Sequence, residues 1–368
     1  MRLILIKLNK IDMHLKIKVI ILIIIITANV AFSQNTSIPN YTQVIPHLQD
    51  TIPSLSNYIY CSTFQMVWNE FKEKADGDIK LKPEIELTSK LNKGLEAKKY
   101  INPNDCYIAS GVVTKKLVDD INSTLKKKFN NAFEPIDDNP NPNDFVFYSF
   151  LYKNLKFKEE FEKIKNGIDF TYTTTDNGTE YARVEAFGIQ KFKTDNTKHV
   201  EMANQMQVYF KSEDDFIVKL LPKKSKDEII CAMIPNRGQA KQIIENIDYS
   251  TYSKVENFEG IRLVIPKFNL DITHNFNELI GSKILNNRFD NYVITEALQT
   301  IFFKLDEKGA EIKSKAKLKG YRGVSILRYT YDLTFNKPFL LMLKEKDSDY
   351  PYFVVWVANP EIMKKLIY

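Results

Sequence analysis

Cysteine, histidine and tryptophan are scarce in this chain of 368 residues, at three, four and two. Cys61, Cys106 and Cys231 have the spacing of neither a zinc knuckle nor a disulfide framework, and an odd number leaves at least one free thiol in a monomer. All three read as buried, packing cysteines. Two histidines, His14 and His47, fall before residue 57, so only His199 and His274 remain in the body. His274, at a turn ahead of NFNELI, reads as solvated or capping. No H-E-x-x-H, C-x-x-C, P-loop or G-x-S-x-G is present. The acidic runs SEDD (212–215) and DSD (347–349) lack EF-hand spacing and read as hairpin turns. These absences argue against an enzyme and call for no cofactor and no metal.

Charge of one sign is also lacking once the N-terminus is set apart. Five of the basic groups (Arg2, Lys7, Lys10, Lys16, Lys18) and one acid (Asp12) lie in residues 1–33, so the formal +6 of the chain falls to about +2 without them. That balance gives no support for nucleic-acid binding. There is one long apolar run, Val19–Ile26, followed by Ala31-Phe32-Ser33, a small-x-small pattern suited to signal peptidase. Residues 1–33 therefore read as a secretory signal; the run is short for a stable membrane anchor, the competing reading. The expected location is outside the cell or in a periplasm. Residues 34–56, polar and proline-bearing, read as a linker to one domain at 57–368.

What is present is mostly strand. A helix is expected over Tyr60, Phe64, Val67, Trp68, Phe71 and Ala75, spaced by threes and fours and ending at Asp76-Gly77. A short helix around 88–99, a strand at 106–116 and an amphipathic helix at 117–133 follow. DDNPNPND (137–144) is a break, and FVFYSFLYKNLKF (145–157) is aromatic and strand-like. Strands are expected at 180–192, 202–211, 215–222, 228–234, 260–272, 292–305, 338–344 and 352–358, with short helices at 238–247 and 275–286. No repeat of fixed period is found. Helices concentrated early and long strands later give an α+β class with large, mainly antiparallel sheets.

One stretch has strand grammar where a loop is expected. In GAEIKSKAKLKGYRG (309–323), Ala310, Ile312, Ser314, Ala316 and Leu318 alternate with Glu311 and four lysines, and no proline interrupts 310–323. Four passages around it, in order, resemble the serpins. FIVKLLPKKSKDEIICAMIPN (216–236) resembles two of their smaller-sheet strands. IRLVIPKFNLDITHNFNELI (261–280) resembles their strand–Pro-Lys/Arg-Phe–strand passage. ALQTIFFKLDEKGAEIKSKAK (297–317) resembles the fifth strand of their large sheet and the hinge after it, and YDLTFNKPFLLMLKEKDSDYPYFVVWVANP (331–360) resembles their C-terminal hairpin. The likeness is specific over about 205–368 and fainter before it.

The resemblance implies a reactive loop at 309–335 that is cut as bait and inserts as a new strand of the large sheet. It assigns Glu307, Gly309, Ala310, Glu311, Ile312, Ser314 and Ala316 to the hinge, and the reactive bond to Gly323-Val324 or, one step away, Arg322-Gly323. It implies a monomeric, secreted inhibitor of serine, or cysteine, endopeptidases. Arg322 and the basic loop suit a trypsin-like target; Val324 or Leu327 would suit an elastase-like one. Departures favour the alternative of a non-inhibitory binding scaffold. Ile312 is bulkier than the usual alanine, Gln299 stands where a histidine is expected, Ser149 where an asparagine is, and Phe157 where a tryptophan is. No Ser-Pro-containing helix is recognisable in 78–105, and DDNPNPND takes the place expected for a helix lying across the large sheet.

Overall fold

A computed structural model describes residues 2–10, 41–130, 132–133, 135–136, 144–223, 225–235, 238–310 and 329–366. Three sheets carry the fold. The large one has nine strands, with Leu81–Lys82, Lys283–Ile284, Tyr292–Asp306, Arg2–Lys10, Asp144–Leu151 and Cys106–Val112 in that spatial order. Phe268–Asn275 pairs with the upper half of the long strand Tyr292–Asp306, from Phe268↔Leu305 to Asn275↔Leu298. An eight-stranded sheet runs from Ser253–Lys254 through Met206–Ser212, Asp215–Leu220, Asp227–Met233, Phe339–Glu345, Phe353–Val357 and Asn57–Cys61 to Thr42–Val44. A four-stranded sheet orders Asp332–Thr334, Arg262–Pro266, Thr179–Ile189 and Glu162–Thr173.

The first helix, α1 (Ser62–Ala75), buries Phe64, Val67, Trp68 and Phe71 beneath the large sheet. Phe71 meets Phe147 at 4.6 Å between ring centroids, and the Trp68 indole N–H donates to Asn92 Oδ1 at 2.9 Å. Asp76, left-handed at φ 58°, ends the helix where Asp-Gly was expected to. The second helix, α2 (Glu86–Asn92), packs Leu87 and Leu91 into the same core. The third, α3 (Lys115–Phe129), is capped by the Thr114 hydroxyl, which accepts from Leu117 N at 3.1 Å. Its stripe of Val118, Ile121, Leu125 and Phe129 lies on Val146, Tyr148 and Phe150 of the large sheet, and Leu298 of the long strand packs against the same cluster. A helix does therefore cover that face. It is α3, the helix expected at 117–133; residues 137–143 of the proline-rich break lie outside the described residues.

Other expectations need correcting. From Tyr41 onward the supposed linker belongs to the domain: Thr42–Val44 pairs parallel with Asn57–Ile59, and Val44, Leu48 and Ile52 are buried. Those apolar residues are spread among polar ones, so composition hid them. The strand expected at 202–211 begins at Met206, because Asn196 caps a short helix over Thr197–Ala203. The helix expected at 275–286 is a single 3-10 turn, Asn277–Leu279, ended by Gly281 at φ 81°. A twelve-residue strand, Glu162–Thr173, was not anticipated. Its register shifts between Ile164 and Ile168 around Gly167, at φ 56°, and the bulge breaks the period-2 pattern. Both acidic runs join paired strands, as turns: Met206–Ser212 to Asp215–Leu220, and Phe339–Glu345 to Phe353–Val357.

Candidate functional site

The 309–335 segment leaves the large sheet at one end and joins the four-stranded sheet at the other. At its start, Tyr292–Asp306 alternates so that Ile294, Ala297, Ile301 and Leu305 are buried in the core. Glu307 and Lys308 turn the chain, and Gly309–Ala310 comes back antiparallel, with Leu305↔Ala310 and Asp306↔Gly309. The other edge of this two-residue stub pairs with Leu155–Lys156, so it is held on both sides. Gly309 adopts φ 126°, and a Cβ there would lie 2.0 Å from the Leu155 carbonyl oxygen; only glycine fits. Phe161 N donates to the Glu307 carbonyl at 3.0 Å and Phe157 N to that of Lys308 at 2.9 Å, so Phe157 pins the turn.

Glu307 is buried at the turn and ion-paired to Lys267 at 2.7 Å and to Lys163 at 3.2 Å. Lys267 lies between Arg262–Pro266 and Phe268–Asn275, where the chain passes from the four-stranded sheet to the large one, and also meets Glu185 at 3.4 Å. Burial pushes the Glu307 carboxyl up, but the contacts and charges of Lys267 and Lys163 outweigh it and hold the group below its ordinary range. The Pro-Lys-Phe triplet at 266–268 marked a strand junction in the sequence, with no sign that its lysine served the hinge.

Below the stub, the long strand and the aromatic strand Asp144–Leu151 are tied to one point on α1. Ser149 Oγ donates to the Thr63 carbonyl at 2.9 Å. Gln299 Nε2 donates to Thr63 Oγ1 at 3.0 Å and to the Cys61 carbonyl at 3.1 Å. Gln299, Ser149 and Thr63 are all almost fully buried. The two positions noted as departures in the sequence are thus both hydrogen-bonded at the start of α1. The helix they reach is α1, upstream of the 78–105 window in which a counterpart was sought. Thr63 was missed because its partners are 86 and 236 residues away.

At the far end, Asp332–Thr334 runs parallel to Arg262–Val264, with an ion pair between Arg262 and Asp332 at 3.2 Å. Phe335 then plugs the core against Phe216 and Phe339, with centroids at 5.0 and 4.9 Å, and the Asn336 carbonyl accepts from Thr171 N at 2.8 Å. Of the residues assigned to hinge and reactive bond, the structure places Glu307, Gly309 and Ala310 together. Glu311, Ile312, Ser314, Ala316, Arg322, Gly323 and Val324 lie outside the described residues.

The remaining polar candidates are structural. His199 is buried, its Nδ1 accepting from Lys193 N at 3.0 Å and its Nε2 lying 3.0 Å from Glu162 Oε1. His274 is half-buried in a T-shaped contact with Phe276, and burial lowers its pKa despite Glu278 nearby. Cys231 and Cys61 are fully buried, and burial pushes the Cys61 thiol up to about 11, whereas Cys106, also expected to be buried, is half-buried at the start of its strand.

The family model described as Serpin (serine protease inhibitor) matches residues 112–360, well over half of the chain. Curated relatives include alpha-1-antiproteinase of Ovis aries, 23% identical over 145 residues, which is 35% of this chain and 34% of that protein. Alpha-1-antiproteinase of Bos taurus is 24% identical over 145 residues, with the same shares of 35% and 34%. The match thus spans about a third of those relatives' length. Similar solved structures include a serpin from Schistosoma haematobium at 14% identity and TM-score 0.45, covering 83% of this chain and 94% of that one. The thyroxine-binding globulin complex with thyroxine is similar at 12% identity and TM-score 0.43, covering 83% and 93%. With the family model spanning both the aromatic strand and the C-terminal hairpin, the chain belongs to the serpin family.

Proposed function

We propose that this chain is a secreted inhibitor of serine endopeptidases that acts once, through residues 309–335. The observation that carries the reading is the Gly309–Ala310 stub, already paired on both edges at the head of the large sheet. Continuing its register residue by residue sets Ala316 level with both Gln299 and Ser149, and Leu318 level with Ala297 and Phe147. The same positions follow from the long strand and, carried past residues 152–154, from Leu155–Lys156, so the continued loop meets both edges in step. Ala316 and Leu318, the apolar parity of the loop, then fall in rows buried toward α1 and the main core, and Lys317 and Lys319 fall in the alternate rows, level with Tyr148 and Val146 beneath α3.

A protease serine oxygen attacks the carbonyl carbon of the reactive bond. The C–N bond breaks, the new amine leaves with a proton, and the N-terminal part of the loop stays esterified to the protease while it enters the sheet. Arg322 beside the bond and the basic loop favour a trypsin-like protease with an acidic pocket over an elastase-like one. The secretory reading of residues 1–33 supplies the compartment in which such a target is met.

A second reading, a non-inhibitory binding scaffold, is favoured by Ile312. The continued register sets it level with Phe303, where its bulk slows closure of the sheet. Incubation with trypsin and, separately, with elastase decides between them. The inhibitor reading expects a protease adduct that survives denaturing electrophoresis, with the cut located at 322–324 by mass spectrometry. Clean cleavage of the loop with full recovery of protease activity rejects it.

A further inference from the structure

The position in the large sheet that the loop would enter is held by another part of the chain. Arg2–Lys10 lies between the long strand and the aromatic strand and runs antiparallel to both. Ile4 is opposite Gln299 on one side and Ser149 on the other; Ile6 is opposite Ala297 and Phe147. These are the rows that the stub's continued register gives to Ala316 and Leu318. Lys7, opposite Glu296 and Val146, holds the row of Lys319. Arg2, opposite Thr300, stands where Lys315 would fall. The two segments run in the same direction and share one register over residues 4–7, with a shift at each side of that stretch, and a strand position between two neighbours admits one occupant.

From these pairings we infer that residues 2–10 plug the large sheet in the full chain, sealing the slot against a second strand until the N-terminal segment is removed. The statement about the loop rests on the bait-loop reading above; the seat of the plug does not. The composition suits the role. RLILIKLNK holds five Ile and Leu in nine residues and no proline or glycine, so a ladder can form on both edges. The plug lies inside the segment read as a secretory signal. One cleavage after Ser33 would then both release the protein and vacate the slot, and the uncut chain would be unable to spend its loop before export.

The test uses the full chain, residues 1–368, beside the double variant Ile4→Pro/Ile6→Pro, whose prolines cannot donate to a ladder. Hydrogen–deuterium exchange is read at 144–149 and 292–300, with 227–233 and 339–345 as internal controls. The expected result is protection of both flanking strands in the unmodified chain and exchange at least about 10-fold faster there in the variant, with the controls unchanged. Loop nicking within 318–328 should then raise the melting midpoint of the variant by more than about 10 °C and leave that of the unmodified chain in place. Equal exchange at 292–300 in the two proteins overturns the plug. So does an unmodified chain whose nicked form gains as much as the variant's. If exchange is released in the variant but neither nicked form gains stability, the plug stands and the bait-loop reading falls. Should the double variant not fold, Ile6→Pro alone is read the same way.

Discussion

The eight-stranded sheet and the large sheet are built from similar strands and sealed in opposite ways. In the first, every residue of Asn57–Cys61, Asp227–Met233 and Phe353–Val357 is buried, on both faces. Its central strands interlock as a mainly apolar layer, with buried ion pairs at the Asp227 end, Lys219 with Glu228 at 3.5 Å and Lys153 with Asp227 at 2.8 Å. The large sheet has its polar groups at the slot itself. Where the long strand and the aromatic strand flank the slot, Gln299 and Ser149 are fastened to Thr63 by hydrogen bonds, and at its head Glu307 is fastened by ion pairs. Apolar packing is non-directional and is lost only when the whole layer comes apart. Hydrogen bonds and ion pairs are directional and can be broken one at a time and remade. One sheet is a permanent wall; the other is a door with two latches.

The largest effect should come from damaging the wall. Trp356 is almost fully buried in the cluster between the eight-stranded sheet and the 240–252 segment. Trp356→Ala should cost about 3–5 kcal/mol, seen as an earlier denaturant midpoint for the whole domain. It should leave the ratio of exchange rates at 292–300 and 339–345 unchanged, since it weakens the molecule uniformly. A selective loosening of 292–300 would show that the two sheets are not separable in this way.

The upper latch comes next. Glu307→Ala leaves Lys267 buried with only Glu185 at 3.4 Å, and breaking a buried pair costs about 3–5 kcal/mol. The lower end, about 3 kcal/mol, is expected because Lys163 is exposed and recovers its hydration. The loss should appear at 305–310 in hydrogen exchange before it appears in the global melt. Glu307 is held below its ordinary range in the folded state. Its contribution is therefore fully present above the unfolded carboxylate pKa and is lost as pH falls through that range and below. Acidification should release the hinge of the unmodified protein and leave that of Glu307→Gln comparatively flat. Parallel pH profiles for the two would remove Glu307 from the account. Gly309→Ala acts at the same turn by strain, at about 1–3 kcal/mol, because a Cβ meets the Leu155 carbonyl in a left-handed backbone.

The contrast between the sheets also explains what could be read in advance. Strands whose neighbours are near in sequence and whose faces are apolar announce themselves: 215–222, 228–234, 338–344 and 352–358 were placed to within a residue or two of Asp215–Leu220, Asp227–Met233, Phe339–Glu345 and Phe353–Val357. The stub at Gly309–Ala310 was legible from its glycine and the alternation that follows. The latches were not. A threonine at the start of a helix reads locally as a cap, and nothing near Thr63 signals that residues 86 and 236 positions later bind it. Ser149 and Gln299 looked like losses when compared with an expected asparagine and histidine, because a motif compares names while the site needs donors. The N-terminal strand was the least legible. Basic residues ahead of an apolar run are what a secretory leader requires, and of that segment residues 2–10 pair with strands about 140 and 290 positions away.

The smallest effect belongs to the lower latch and is the sharpest test of the comparison. Thr63→Val keeps the shape and volume of the side chain near those of threonine but removes the Oγ1 acceptor for Gln299 Nε2. Gln299 keeps the Cys61 carbonyl at 3.1 Å, so the cost is the Gln299 bond, partly compensated, together with the Cys61 Sγ contact at 3.1 Å, about 1–2 kcal/mol. A wall residue changed by so little would shift the melt slightly and nothing else. At a latch, the same change should speed exchange at 297–300 and 147–149 more than anywhere else. It should also raise the rate at which an added strand-forming peptide enters the sheet of the Ile4→Pro/Ile6→Pro variant, where the slot is open. If Thr63→Val slows exchange there, or loosens Asp227–Met233 equally, the Thr63 bonds are ordinary core satisfaction, and the division into wall and door fails at its most specific point.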